Sequence, residues 1–139
     1  MELKGEEFLR SGQFPISLIM ADCNYLKKTN DTLGHEYGNL LLKRVVGILS
    51  KMESKDCQIT RVGGDEFLML CRNCDKTQAE QRITSMKQEL IKQSDDIIQL
   101  SVAFGSATAK DQTFSMKEIY EQADHAMYED KMKDRYSQS

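Results

Sequence analysis

No basic excess, no apolar run of membrane length and no disulfide framework mark this chain, and each absence removes a class of function. Its 19 basic residues are outnumbered by 22 acidic ones, for a formal charge of -3. No positive field is therefore available to hold a nucleic-acid backbone, and any phosphate bound here needs local cations or metal ions. The longest apolar run, around Ile16 to Ala21, is far too short to cross a bilayer, and no basic segment with a signal-like apolar stretch occurs. The expectation is a soluble, cytosolic piece without membrane contact of its own, with anchoring of a longer parent left open. Cys23, Cys57, Cys71 and Cys74 do not form the pattern of a secreted scaffold, so reduced thiols are expected. Cys71 and Cys74 form one C-x-x-C, but no second one exists and His35 and His125 lie far apart, which disfavours zinc. Proline occurs once, at Pro15, and no repeat or low-complexity tract is visible.

What is present fits one compact domain: 139 residues with 40% apolar content. Ile16 to Ala21 reads as a buried central strand that delivers Asp22 at its C-terminal end. Asn24 to Gly38 reads as turn-rich, and Tyr37 to about Met52 as a helix, because Leu41, Val45, Ile48 and Met52 recur at spacings of four and three. Gln58 to Val62 and Asp65 to Cys71 read as the arms of a hairpin, with Gly63 and Gly64 supplying positive φ in a primed turn. Asp65 and Glu66 then sit at or beside the tip. Lys76 to Ser94 is a polar helix, Ile97 to Thr108 a strand, and Ser115 to about Lys133 a helix opened by a Ser115/Glu118 capping box. Met1 to Gly12 reads as the end of a helix, which suggests a piece of a longer protein.

The order β, α, β, β, α, β, α predicts an α+β fold with helices packed on one face of an antiparallel-containing sheet, built around a β-α-β-β-α-β unit. If the strands carrying Asp22 and Asp65 are neighbours, two acids from distant parts of the chain meet at one sheet edge. That pairing suits Mg2+, a hard cation that takes carboxylate and carbonyl oxygens and keeps positions open for substrate phosphate.

At this point the residues resemble the GGDEF domains, whose active members are diguanylate cyclases with a palm-like nucleotide-cyclase fold. Gly63 to Phe67 reproduces the signature, with Arg61 two residues ahead of it. DCNYLKKTND from Asp22, then Gly34-His35 and Gly38-Asn39, are similar to the family's upstream block. SVAFG from Ser101 and ADHAMYEDK from Ala123 resemble its later strand and helix. The resemblance covers most of the chain, residues 1–139 reading as a single such domain that lacks part of its N-terminal side.

The resemblance implies a function and assigns roles. Two GTP condense into cyclic di-GMP and two pyrophosphates by nucleotidyl transfer, each half-site holding one GTP and two Mg2+ (or Mn2+) ions. Asp22, Asp65, Glu66 and the backbone carbonyl of Cys23 match the metal ligands. Asp65 also matches the residue that takes the proton from the attacking 3′-hydroxyl, with Glu66 and Lys27 beside it in the catalytic set. Asn30 and Asn39 match guanine-contacting positions, with His35 in the same segment, and Lys27, Lys131 and Arg135 match positions facing the triphosphate. A homodimer is needed for catalysis, and an upstream sensor or dimerisation region in a bacterial signalling protein is implied. Three departures stand out. The family's Asp-x-Leu-Thr-x-Leu-x-Asn-Arg segment is absent; Ser54, Lys55, Asp56 and Cys57 replace the inhibitory Arg-x-x-Asp; and Asn39 replaces an aspartate. The rival reading is a non-catalytic GGDEF domain that binds GTP and regulates an attached module, against which the intact Asp22, Asp65 and Glu66 argue.

Overall fold

The computed structural model describes residue 7 and residues 9–137, with side chains described as far as residue 133. Glu7, Leu9 and Arg10 are helical; the rest of the helix expected over Met1 to Gly12 includes residues outside those described. The elements run β1 (Ile16–Cys23), α1 (Leu26–Leu33), α2 (His35–Ser50), β2 (Cys57–Arg61), β3 (Glu66–Cys71), α3 (Lys76–Gln93), β4 (Val102–Ala109) and α4 (Met116–Ser137). The strands form one sheet in the order β2-β3-β1-β4, with every pairing antiparallel. The α+β architecture is therefore as expected, and β1 and β3 are indeed neighbours.

β1 is buried along its whole length because helices cover both faces of the sheet, not one. Ile19, Ala21 and Cys23 belong to a core with Leu41, Val45 and Ile48 of α2 and Met86 and Leu90 of α3. Ile16, Leu18 and Met20 alternate onto the other face, against Ile119, Ala123 and Met127 of α4. At about 1.5–3 kcal/mol for each fully buried large aliphatic side chain, these two layers supply the main driving force. Gly105 lets α4 approach β4, since a Cβ there would collide with the backbone at Ala123 and Met127.

Three local expectations change. The segment read as turn-rich contains α1, a helix too short to be stable alone. It is ended by Gly34 at φ 95, which donates to the Asn30 carbonyl at 3.0 Å, and is supported where Asn30 lies against Gly38 of α2. β4 begins at Val102 rather than Ile97, because side chains take the upstream N–H groups: Asp95 accepts from Ile97 and Ile98, and Ser94 from Leu100. The hairpin closes through a longer loop, since pairing stops at Arg61 opposite Phe67 and neither Gly63 nor Gly64 adopts a left-handed φ. Val62 and Gly63 both donate to the Glu66 carbonyl, and the Arg61 guanidinium clasps the loop from Nε to Gly63 O at 3.1 Å and from Nη2 to Gly64 O.

The cysteines also depart from four free thiols. Cys57 and Cys71 face each other in register across β2 and β3 with their sulfurs at bonding contact, while Cys23 and Cys74 are free and buried.

Candidate active site

The strand alternation that builds the core also builds the site. Asp22 falls on the same face of β1 as Leu18 and Met20, towards α4, and lies opposite Glu66 of β3 and Ala103 of β4. It is only 6% exposed. Lys131 reaches it from α4, with Nζ 2.6 Å from Asp22 Oδ2. Among the described residues, Asp22 Oδ1 is buried and has no hydrogen-bond partner. A buried carboxylate oxygen without a donor is costly unless something cationic completes it.

Asp65 supplies the second acid from the hairpin loop, held close to β1 by the Cys23 N–H donating to the Asp65 carbonyl at 2.8 Å. Its carboxyl is pushed above the ordinary range first by burial and then by the negative charge of Asp22, against the pull of its own backbone N–H and of Lys131. The same two carboxylates, after burial, push the Cys23 thiol up to about 12, with Arg61 opposing. Without a bound cation Cys23 is therefore a neutral thiol at physiological pH.

These groups open onto a cleft of about 640 Å³ lined by residues 23–28 together with Asp31, Thr32, Asp65 and Lys131. The turn from β1 into α1 shapes one wall. Tyr25 adopts a left-handed φ of 67, and Asn24 ties the turn to the approach to β4, through N–H to Ser101 O at 2.8 Å and Nδ2 to Ser101 Oγ at 2.9 Å. Lys27 and Lys28 line the cleft from α1, and the Lys28 ammonium stands 5.8 Å from the Tyr25 ring centroid.

Not every expected site residue gathers here. Asp65, Cys23, Lys27 and Lys131 line the cleft, and Asp22 is joined to it through Lys131. Glu66 opens β3 beside Asp22, and neither of these two acids is among the cleft's lining residues. Asn30 lies against Gly38, and exposed Asn39 lines a separate hollow of about 700 Å³ with Glu36, Tyr37, Leu40 and Lys43. His35 is exposed at the start of α2. The side chain of Arg135 lies outside the described residues. Lys28, Asp31 and Thr32 line the cleft without being expected there; Asp31 follows Lys27 by four and Thr32 follows Lys28 by four, a helical spacing that a turn-rich reading of the segment hides.

The donor set fits a hard divalent cation whose coordination is shared with a ligand. Two close carboxylates, one with an orphaned buried oxygen, supply anionic oxygens. Among the described residues no group of three or more His, Cys, Asp or Glu side chains forms a metal cluster, so ligand or backbone oxygens would have to supply the remainder. The adjacent lysines suit a polyphosphate.

The chain matches the family model described as diguanylate cyclase, GGDEF domain, over residues 3–137. It is 29% identical over 123 residues to the probable diguanylate cyclase DgcT of Escherichia coli, covering 84% of this chain and 27% of that protein. Against the diguanylate cyclase DgcS of Shewanella oneidensis it is 33% identical over 133 residues, covering 88% of this chain and 41% of that one. The chain thus spans well under half the length of these curated relatives. Its fold is similar to that of the GGDEF domain of DgcB from Caulobacter crescentus, solved in complex with c-di-GMP. The TM-score is 0.86 at 21% identity, over 94% of this chain and 80% of that one. With the family model matching nearly the whole chain and Asp65 of the signature lining the cleft, this chain belongs to the GGDEF domain family.

Proposed function

We propose that this domain is one half-site of a diguanylate cyclase that condenses two GTP into cyclic di-GMP. The observation that carries the reading is the pairing of Asp22, with its orphaned Oδ1, and Asp65 at the mouth of a cleft flanked by Lys27, Lys28 and Lys131. Mg2+ or Mn2+, two per half-site and held by Asp22, Asp65, Glu66 and the Cys23 carbonyl, would polarise the α-phosphate and stabilise the charge that builds during transfer. Asp65 accepts the proton of the 3′-hydroxyl that attacks the α-phosphate of the other GTP; a P–O bond forms, and the bond to pyrophosphate breaks. Repeating the transfer in the opposite sense closes the ring, so two GTP yield one cyclic di-GMP and two pyrophosphates. Lys27, Lys131 and Arg135 offset the triphosphate charge. Asn30 and Asn39, with His35 nearby, would face the base by resemblance, with the nucleotide reaching beyond the cleft toward the hollow that Asn39 lines.

Arg61 supports the reading from behind the loop. Its hold on the Gly63 and Gly64 carbonyls fixes the backbone next to Asp65 while leaving Gly64 open to a close-lying ligand, with the Glu66 side chain against Gly63. One observation favours the rival, a GTP-binding domain that regulates an attached module: Lys131 sits on Asp22, a carboxylate the catalytic metal would need. Incubation of the dimerised protein with GTP and Mg2+, with chromatography of the products, separates the two. Cyclic di-GMP and pyrophosphate in a 1:2 ratio are expected from the balance above. Tight GTP binding without product would leave the regulatory reading standing and overturn the catalytic one.

A further inference from the structure

Asp130 precedes Lys131 on α4 and does not line the catalytic cleft. Its carboxylate makes two bonds to two other elements. Oδ2 accepts from the Phe104 N–H of β4 at 2.8 Å, and Oδ1 accepts from Lys87 Nζ of α3 at 2.8 Å. β4 is an edge strand, so the N–H groups on its outer side have no ladder partner, and Asp130 satisfies one of them. The place of this bond matters. Phe104 pairs with Ala21, and its neighbour Ala103 pairs with Asp22, so the anchor joins α4 to the sheet beside the rung that carries Asp22.

Lys131 reaches Asp22 through a flexible four-carbon stem, and holding such a side chain in one orientation costs rotamer entropy. What limits that cost is a fixed starting point for the stem. The Gly105 contact with the backbone at Ala123 and Met127 holds α4 against β4, and Asp130, one turn beyond Met127, adds a second fixed point. With Lys87 the Asp130 carboxylate lines a neighbouring hollow of about 410 Å³ between α3, β4 and α4, which shares Asn24 with the catalytic cleft. The Asp130 side chain is 19% exposed and that of Lys87 is 43% exposed, so the pair is partly shielded.

We propose that Asp130 is a positioning residue: by bridging the β4 edge and Lys87 it fixes α4 so that Lys131 is held on Asp22, ready to transfer to the triphosphate when a metal claims that carboxylate. The catalytic part of this inference rests on the cyclase reading; the positioning part does not.

Two measurements test it. In nucleotide-free protein labelled with 15N, the Lys131 side-chain ammonium should give a signal slowed in exchange by its carboxylate partner, assigned by its loss in Lys131→Ala. Asp130→Ala should abolish that signal while the rest of the spectrum stays folded. Asp130→Asn, which keeps an oxygen acceptor for the Phe104 N–H, should retain it. Should Asp130→Ala fail to fold, Asp130→Glu takes its place, since it keeps the charge but moves the acceptor by one methylene, and it should attenuate the signal. An unchanged Lys131 signal in either of these two variants overturns the proposal. In the second measurement Asp130→Ala should lower kcat/KM for GTP by about tenfold, within the range coupled neighbours show, and by less than about twofold in a Lys131→Ala background. A full loss in both backgrounds would mean general damage and would also overturn it. If the wild-type protein makes no cyclic dinucleotide, the cyclase reading fails and the ammonium signal still decides the role of Asp130.

Discussion

At the scale of single residues, the two acids differ in how they are held but share one consequence. Asp22 is buried against Lys131 with one oxygen unpartnered among the described residues, and Asp65 is raised by burial and by Asp22, so a cation shared by the two carboxylates would relieve their repulsion. Asp22→Asn and Asp65→Asn should each reduce turnover by about a hundredfold or more, roughly 3 kcal/mol of transition-state stabilisation, in steady-state assays with GTP and Mg2+. Near-normal turnover by Asp65→Asn would remove this site from consideration. Both acids were legible in the sequence because a strand end and a hairpin loop are local features. The clasp by Arg61, the orphaned Asp22 oxygen and the bridge through Asp130 were not, since each depends on which elements become neighbours. Asn39 raises a question of base choice. Guanine presents N1–H and the N2 amino group as adjacent donors, which an ionised aspartate accepts on both oxygens, whereas asparagine offers one acceptor and one amide donor. The lost bond should weaken GTP by about 1–2 kcal/mol, while the amide pair suits the N6 and N1 edge of adenine. The GTP to ATP ratio of kcat/KM should therefore rise in Asn39→Asp. An unchanged ratio would show that Asn39 does not read the base.

At the scale of elements, what the sequence revealed was what repeats. The apolar run of β1 and the periodic faces of α2, α3 and α4 were legible because burial imposes a period on many residues at once. α1 was hidden because its stability comes from packing on α2, and the start of β4 was hidden because Ser94 and Asp95 claim N–H groups that a strand would use. Asp95 gives that claim a pH signature. Bonds from Ile98, Arg44 and Ile97 hold its carboxyl below the usual value of 3.8, in that order of importance. A depressed folded-state pKa means the stabilisation is present above the unfolded value and is lost as pH falls through the lower folded one. Asp95→Ala should lower Tm at neutral pH, with the gap from wild type closing only below the ordinary carboxylate range. A gap that persists unchanged in acid would show that the charged form of Asp95 is not what stabilises the turn. The packing of α4 on β4 is less forgiving. At Gly105 a methyl group would meet backbone rather than a side chain that could swing aside. Gly105→Ala should cost about 2–3 kcal/mol in denaturant unfolding, at the upper part of the range for overpacked sites. A loss below about 0.5 kcal/mol, the level of an ordinary surface change, would mean that α4 is free to shift.

At the scale of the whole molecule, the proposed cyclase reading asks one Asp22/Asp65 pair and the cleft beside it to serve a reaction that joins two nucleotides twice. Each bond of the ring needs a 3′-hydroxyl from one GTP and an α-phosphate from the other. A single half-site can present only its own pair of groups, so two domains must face each other with their clefts opposed. The whole chain carries a formal net charge of only -3, which opposes association of two copies weakly. On the proposed cyclase reading the catalytic species would be a transient antiparallel pair unless another segment holds the domains together. This has a kinetic signature that separates it from chemistry within one domain. At dilute protein, where monomers dominate, the pair concentration follows the square of total protein, and initial velocity at saturating GTP should rise with that square. Joining two copies through a fused coiled coil makes the partner's effective concentration independent of dilution, so the velocity of the fused protein should rise linearly and exceed that of the free domain at low concentration. Velocity that is linear in a domain shown by ultracentrifugation to be monomeric would refute the two-half-site mechanism, whatever the fate of Asp22 and Asp65.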